Sequence, residues 1–162
     1  MEDHGSPALR RLLATLPGAV LETHARVGDA TAVVDRARIL DVLALLRDER
    51  ELAFDMLTDV TAVDLLPRTP RFEMVYHLYS TARNHRVRIK ARIPAEDAWI
   101  ASAVPLYASA DWMEREVWDM YGIRFAGHPD LRRLLLYEEF EGHPLRKDYP
   151  KERRQPLVGP RN

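Results

Sequence analysis

No cysteine occurs among the 162 residues of this chain. That absence excludes thiolate ligation of an iron–sulfur cluster, a cysteine-type zinc site and a thiol nucleophile, so any part in redox chemistry has to be indirect. Disulfide staples are excluded too, and the chain does not need them. A domain of this size buries roughly 70% of the surface its unfolded chain exposes, and 46% of the residues are hydrophobic. Long apolar runs are also missing. Crossing a bilayer takes about 18–20 such residues, whereas the best stretch, Ile39 to Leu46, is short and interrupted by Asp41. The opening Met1-Glu2-Asp3-His4 is acidic and lacks the basic-then-apolar order of a secretory signal. The expectation is a cytosolic chain, or one seated on the cytosolic side of a membrane assembly.

A large excess of charge of one sign is lacking as well. The net charge is −1, which gives no global attraction to nucleic acid. The distribution is uneven, however. From Gly142 to Asn162 six basic residues (Arg146, Lys147, Lys151, Arg153, Arg154, Arg161) face two acids (Asp148, Glu152), leaving +4 there and −5 on the remainder.

The elements present can be read in order. Ser6 before Pro7 is a helix-start signal, with Ala8 to Leu16 following and Pro17-Gly18 ending the helix. Short strands are predicted at 19–26 and 31–34, joined across Gly28-Asp29. Asp35 can cap a second helix that runs to Asp48, in which Ile39, Val42, Leu43 and Leu46 share one face. Leu52, Phe54, Met56 and Val60 alternate with mostly polar residues and predict a third strand. A hairpin comes next, Phe72–Ser80 and His85–Ile93 around a four-residue loop. It pairs Ser80 with His85, Leu78 with Val87, Tyr76 with Ile89 and Met74 with Ala91 on one apolar face. The other face pairs Tyr79, His77, Val75 and Glu73 with Arg86, Arg88, Lys90 and Arg92. A slip of one residue would set the basic row against the apolar row, so the register is strongly determined. The order α-β-β-α-β-β-β predicts an α+β two-layer sandwich, two helices over one face of a mixed five-stranded sheet.

The last third has a different character. Asp111 as N-cap and Glu114 three residues later form a candidate capping box for a helix that ends at Gly122. Pro129, Pro144, Pro150, Pro156 and Pro160 interrupt the rest of the chain, and only 131–140 has the makings of another regular element. From Gly142 onward there are too few apolar residues to fold alone. The expectation is a domain over 1–141, with its most distinctive helix and loop at 111–141, and then an extended basic tail over 142–162 lying on this chain or on another.

Two runs in this region identify a family. The first is Glu114-Arg115-Glu116, then Asp119, then Gly122 through His128-Pro129-Asp130-Leu131-Arg132-Arg133 to Leu136. The second is Glu141-Gly142-His143-Pro144-Leu145-Arg146-Lys147-Asp148-Tyr149-Pro150. Together they closely resemble the signature of the 30-kilodalton subunit of respiratory complex I, the NADH:quinone oxidoreductase of bacteria and mitochondria. The resemblance is dense from Arg71 to Pro150 and looser before. It implies a peripheral-arm subunit of a proton-translocating NADH:quinone oxidoreductase with no cofactor of its own, while FMN, iron–sulfur clusters and quinone belong to the holoenzyme. It further implies neighbours that line the quinone pocket and carry the terminal cluster, a C-terminal segment that wraps over them, and a place on the cytoplasmic face of the bacterial inner membrane through the complex alone. Expected partner contacts are Glu114, Arg115, Glu116, Asp119, Gly122, His128, Pro129, Arg132 and Arg133, with Gly142, His143, Pro144, Arg146, Lys147, Asp148 and Tyr149.

Each feature also has a plainer reading. The Glu114/Arg115/Glu116/Asp119 cluster offers carboxylates for acid–base work, or a capped helix with Asp111–Arg115 and Arg115–Asp119 pairs one turn apart. Exposed pairs contribute only about 0.3–0.5 kcal/mol each, so part of this charge is expected to face a partner. His128, His143 and Asp130 are candidate metal ligands of a stand-alone metal-dependent enzyme. The competing reading has each imidazole, fixed in extended backbone before a proline, capping backbone groups or pairing with a carboxylate. The Arg86/Arg88/Lys90/Arg92 row is a nucleic-acid stripe, a solvated sheet face or a dock for an acidic partner. Trp118 and Tyr121 share one helix face with Glu114, and Met113, Val117 and Met120 another, which predicts a helix buried on both sides, by this domain and by a neighbour. A membrane-bound [NiFe]-hydrogenase-type complex, which carries a homologous subunit, is the alternative machine.

Overall fold

The computed structural model describes residues 1–156. In chain order the elements are α1 (Pro7–Thr15), β1 (Val20–His24), β2 (Thr31–Val34), α2 (Ile39–Asp48), β3 (Met56–Asp64), β4 (Phe72–Ser80), β5 (His85–Ile93), β6 (Trp99–Ala101), α3 (Ala110–Tyr121) and β7 (Arg124–Ala126), with three single 3-10 turns between them. Five strands form a mixed sheet in the order β1-β2-β5-β4-β3, in which β2 and β5 run parallel and the other neighbours antiparallel. The α+β class, the element order and the mixed five-stranded sheet are as the sequence predicts.

Local chemistry accounts for the first half. The Ser6 hydroxyl accepts from the Leu9 N–H at 3.4 Å, with Pro7 in the first helical turn. Leu9 and Leu12 of α1 and Ile39, Val42, Leu43 and Leu46 of α2 are fully buried. Asp35 does cap, but it caps the Ala37 N–H of a 3-10 turn, and the α-helix proper begins only at Ile39. The hairpin has the predicted register throughout, from Ser80↔His85 to Met74↔Ala91. Its apolar members, Met74, Tyr76, Leu78, Val87, Ile89 and Ala91, all lie in the core.

The opposite sheet face carries the basic row, and most of that charge is neutralised within the chain. Arg88 meets Asp29 at 2.8 Å, Lys90 meets Glu73 at 2.7 Å, and Arg92 meets Glu22 at 2.7 Å. Arg86 lies over the Tyr79 ring, 5.1 Å from its centroid. A face so paired offers few free cations to a phosphate backbone.

Three expectations are corrected. The third strand starts at Met56 rather than near Leu52, because the Leu52, Ala53 and Phe54 N–H groups donate to carbonyls at the end of α2. Helix α3 starts at Ala110 after Ser109, which provides no side-chain cap; Asp111 sits inside the first turn, and Glu114 turns inward instead of closing a capping box. No regular element forms over 131–140, where the chain is shaped by bonds to Asp119 and Arg115 of α3. A short parallel pair, β6 with β7, was not anticipated. The tail's first part lies on this chain: the Leu145 N–H donates to the Met120 carbonyl at 3.1 Å, and turns continue to Lys151. Gln155 continues on the chain, donating to the Glu141 carbonyl at 3.1 Å; residues 157–162 of the expected tail, with Pro160 and Arg161, fall outside the described residues.

Tyr76 is fully buried, and its hydroxyl finds no hydrogen-bond partner among the described residues. Removing an unpaired buried hydroxyl removes a desolvation cost and almost no attraction. Tyr76→Phe is therefore expected to leave stability unchanged or raise it by about 1 kcal/mol in urea denaturation.

Candidate functional site

The signature residues converge on α3 and the irregular chain after β7. Asp119 is the centre of that arrangement. It is fully buried, and one of its oxygens accepts from the backbone N–H groups of Leu134, Leu135 and Leu136 at 3.1, 2.9 and 2.9 Å. The other accepts from Arg133 Nη1 at 2.6 Å. Burial alone would push this carboxyl upward; the three N–H groups and the guanidinium outweigh it and hold the pKa below the usual carboxylate value. Arg133 passes the constraint on, donating to the Phe140 and Gly142 carbonyls and lying over the Trp118 and Phe140 rings. The stretch from 131 to 142 is thus moulded on one carboxylate.

Glu114 works differently. Its carboxyl is fully buried and accepts from Ser102 Oγ and the Ala103 N–H, both at 2.6 Å. Two bonds do not offset its desolvation, and burial pushes its pKa up to about 7. It pins the loop between β6 and α3 to the helix.

Arg115 makes neither of the predicted helix-surface pairs. It reaches sideways, donating from Nε and Nη2 to the Arg132 and Arg133 carbonyls at 3.2 and 3.1 Å, with its guanidinium 5.0 Å from the Trp112 ring centroid. Glu116 and Trp112 remain exposed. Helix α3 is covered on two sides as predicted, but its second cover is this chain's own segment after β7, where Trp118 meets Arg133 and His143.

The two histidines bind backbone. His128 Nδ1 accepts from the Asp130 N–H at 3.0 Å, which leaves Nε2 protonated and able to donate to the Asp111 carbonyl at 3.2 Å. His143 Nδ1 donates to the Asp119 carbonyl at 3.0 Å. The carbonyls they hold are eight residues apart on α3, about 12 Å along its axis, so the two rings do not converge. Among the described residues no three His, Asp or Glu side chains are grouped to hold a metal ion. Gly122 explains its own presence: it ends α3 with φ +77°, and a Cβ there would lie 2.5 Å from the His143 ring.

The second block is fastened by residues that sequence reasoning missed. Arg71 donates two bonds to Asp64, at 3.0 and 2.7 Å, and two to Asp148, at 2.8 and 2.7 Å. Asp64 also accepts from the N–H groups of Leu66 and Lys147. The Arg71 guanidinium holds both carboxyls below their ordinary values, and they in turn raise its own. The one available signal was that the family resemblance begins at Arg71. Elsewhere in the block Tyr149 stacks on Phe140 and against Gly142, and Arg146 lies over the Phe72 ring. Pro129, Arg132 and Lys147 are exposed, Arg132 beside Asp130 at 2.8 Å, and Pro144 is half-buried. A groove of about 600 Å³ at the other end of the sheet, lined by His77, His85 and Arg88 among others, contains none of the signature residues.

This geometry has relatives. Residues 32–155 match the family described as respiratory-chain NADH dehydrogenase, 30 Kd subunit. The chain is 49% identical over 144 residues to an NADH-quinone oxidoreductase subunit of Trichlorobacter lovleyi, covering 88% of each. Among solved structures, a trypsin-resistant fragment (1-134) of Nqo5 superposes with a TM-score of 0.65 at 32% identity, over 76% of this chain and 99% of that one. A chain of the membrane-bound sulfane sulfur reductase, an archaeal respiratory membrane complex, gives a TM-score of 0.77 at 26% identity, over 91% and 86%.

Two outcomes are expected of the buried carboxylates. An unfolded Glu114 ionises near 4.5, whereas the folded protein keeps its proton to about 7. Between those values the folded state binds more protons, so this group's contribution to stability falls as pH rises from 4.5 to 7 and is level above. The loss is about 3 kcal/mol. Glu114→Gln, which can still accept from Ala103 and donate to Ser102, is expected to flatten that part of a denaturation-against-pH profile. Asp119→Ala strands three N–H groups and a guanidinium; it is expected to cost about 3–5 kcal/mol in the same assay and to expose 131–142 to hydrogen exchange.

Proposed function

The chain belongs to the 30 Kd subunit family of the respiratory-chain NADH dehydrogenase, and on that footing we propose that it is a structural and assembly subunit, holding no cofactor, in the peripheral arm of a proton-translocating NADH:quinone oxidoreductase. The complex passes electrons from NADH through FMN and iron–sulfur clusters to quinone. This chain supplies form to it: neighbours that line the quinone pocket and carry the terminal cluster seat against it, at the cytoplasmic face of the bacterial inner membrane. No helix among the described residues is long and apolar enough to cross a membrane, which agrees with attachment through partners.

The observation that carries this reading is the use made of the charged signature. Glu114, Arg115, Asp119 and Arg133 are spent on backbone groups and on each other. Side chains committed in this way position chain segments, and they are poorly placed to exchange protons with a substrate. The missing cysteines point in the same direction, because a chain without thiolates lacks the usual ligands of a cluster.

A second machine is favoured by one finding, the superposition on the archaeal sulfane sulfur reductase complex. There the chain would hold the same structural place in a hydrogenase-type assembly. The higher identity to the Trichlorobacter lovleyi protein, 49% against 26%, favours the quinone enzyme. Neighbouring genes for an NADH-binding flavoprotein or for hydrogenase maturation separate the two.

Purification of the tagged full chain from its native membranes, with partners identified by mass, tests the reading. The expected result is a stoichiometric set of oxidoreductase subunits, with flavin and iron assigned to the other polypeptides. Recovery of the chain alone, or with stoichiometric metal lost in His128→Ala, would overturn it.

A further inference from the structure

Most of the charge around α3 is consumed within the chain, which makes the groups left over informative. Arg115 is nearly buried, yet no carboxylate pairs with it among the described residues. Its Nε and Nη2 donate to carbonyls, while Nη1 makes no hydrogen bond among the described residues and is not sealed by them from solvent. One position along, Glu116 is exposed and has no ion pair among the described residues. Trp112, whose ring Arg115 covers, is 59% exposed, and Leu135, whose N–H donates to Asp119 one turn along α3, is 61% exposed.

Single exposed apolar side chains are ordinary, but these two are held out by rigid structure. The Leu135 N–H is tied to buried Asp119, which fixes the backbone that presents this side chain. The Trp112 ring is stacked on the Arg115 guanidinium. Positions 112, 115, 116 and 119 form one stripe of α3, and 112 and 119 are separated by about 10 Å along the axis. That distance fits within one interface patch. Tryptophan and arginine are the residue types most often found at the energetic centre of such patches.

We propose that Trp112, Arg115, Glu116 and Leu135 form a docking surface for another subunit of the complex, whose seated segment sets apolar side chains between a carboxylate that takes Arg115 and a cation that takes Glu116. A guanidinium with unspent N–H donors against an aromatic ring favours a carboxylate, which it can meet with charge-assisted bonds. This surface rests on the proposed place in the complex and specifies the chemistry of the partner segment.

The test uses the assembled complex, purified through a tag on this chain, with Leu135 replaced by photoreactive benzoylphenylalanine. The expected cross-link lands on a different subunit, in a peptide that contains Asp or Glu. Leu135→Asp is expected to lower incorporation of the chain about ten-fold and to leave the melting temperature of the isolated chain unaltered. Glu116→Lys, at an exposed position without an ion pair, is expected to lower incorporation as well, and it decides the matter if Leu135→Asp unfolds the chain. Cross-links confined to this chain or to a second copy overturn the proposal, as does full incorporation of Glu116→Lys. If the unaltered chain enters a complex and the variants do too, only the surface falls; if the unaltered chain enters none, the function falls with it.

Discussion

The Asp119 carboxylate holds the second half of this protein in shape. A run of chain with prolines at both ends and few packing residues has no hydrogen-bond ladder of its own, and its N–H groups need acceptors. One oxygen of Asp119 accepts from three of them from inside α3, and Arg133 neutralises the charge while gathering the Phe140 and Gly142 carbonyls. His143, Trp118 and Gly122 then close around the same end of the helix. Without that anion, three N–H groups and a guanidinium in the chain between β7 and the second signature block would lose their acceptor, leaving Arg115 and His128 as its ties to α3.

Legibility in the sequence followed the range of the interaction. Caps and apolar spacing within ten residues revealed α1 and α2. The hairpin was legible to the single pair, because period-two alternation on two adjacent strands admits one register. Helix α3 was misread at its start for an instructive reason: Asp111 and Glu114 have the spacing of a capping box, but Ser102 and Ala103, which lie earlier in the chain, claim Glu114 in three dimensions. Local pattern lost to tertiary demand. The Asp119 bonds span 14 to 17 residues and end mostly on backbone, and backbone leaves no mark in sequence. The Arg71–Asp148 bonds span 77. The strands β6 and β7 are three residues each, too short for alternation to show. For that region the family resemblance carried what physical pattern could not: it drew attention to Glu114, Arg115, Asp119 and Arg133 without saying what they touch within the chain.

The two faces of the protein handle charge in contrasting ways. The open sheet face sets cations against anions in partly exposed pairs, which contribute little stability and mainly keep the surface neutral and hydrated. Around α3 the charges are buried and bonded to backbone, where they fix geometry at high cost if broken. Solubility is served by the first arrangement and shape by the second.

The Arg71 clasp is lopsided, with a consequence for the end of the chain. Its Asp64 side chain is 2% exposed and its Asp148 side chain 49% exposed. Arg71 and Asp64 already balance each other, so water can replace Asp148 without stranding a charge in the interior. Of the two ends of the clasp, the one that reaches the second block is therefore the exchangeable one: exchanging Asp148 for water leaves the Arg71–Asp64 pair intact and the sheet beneath neutral.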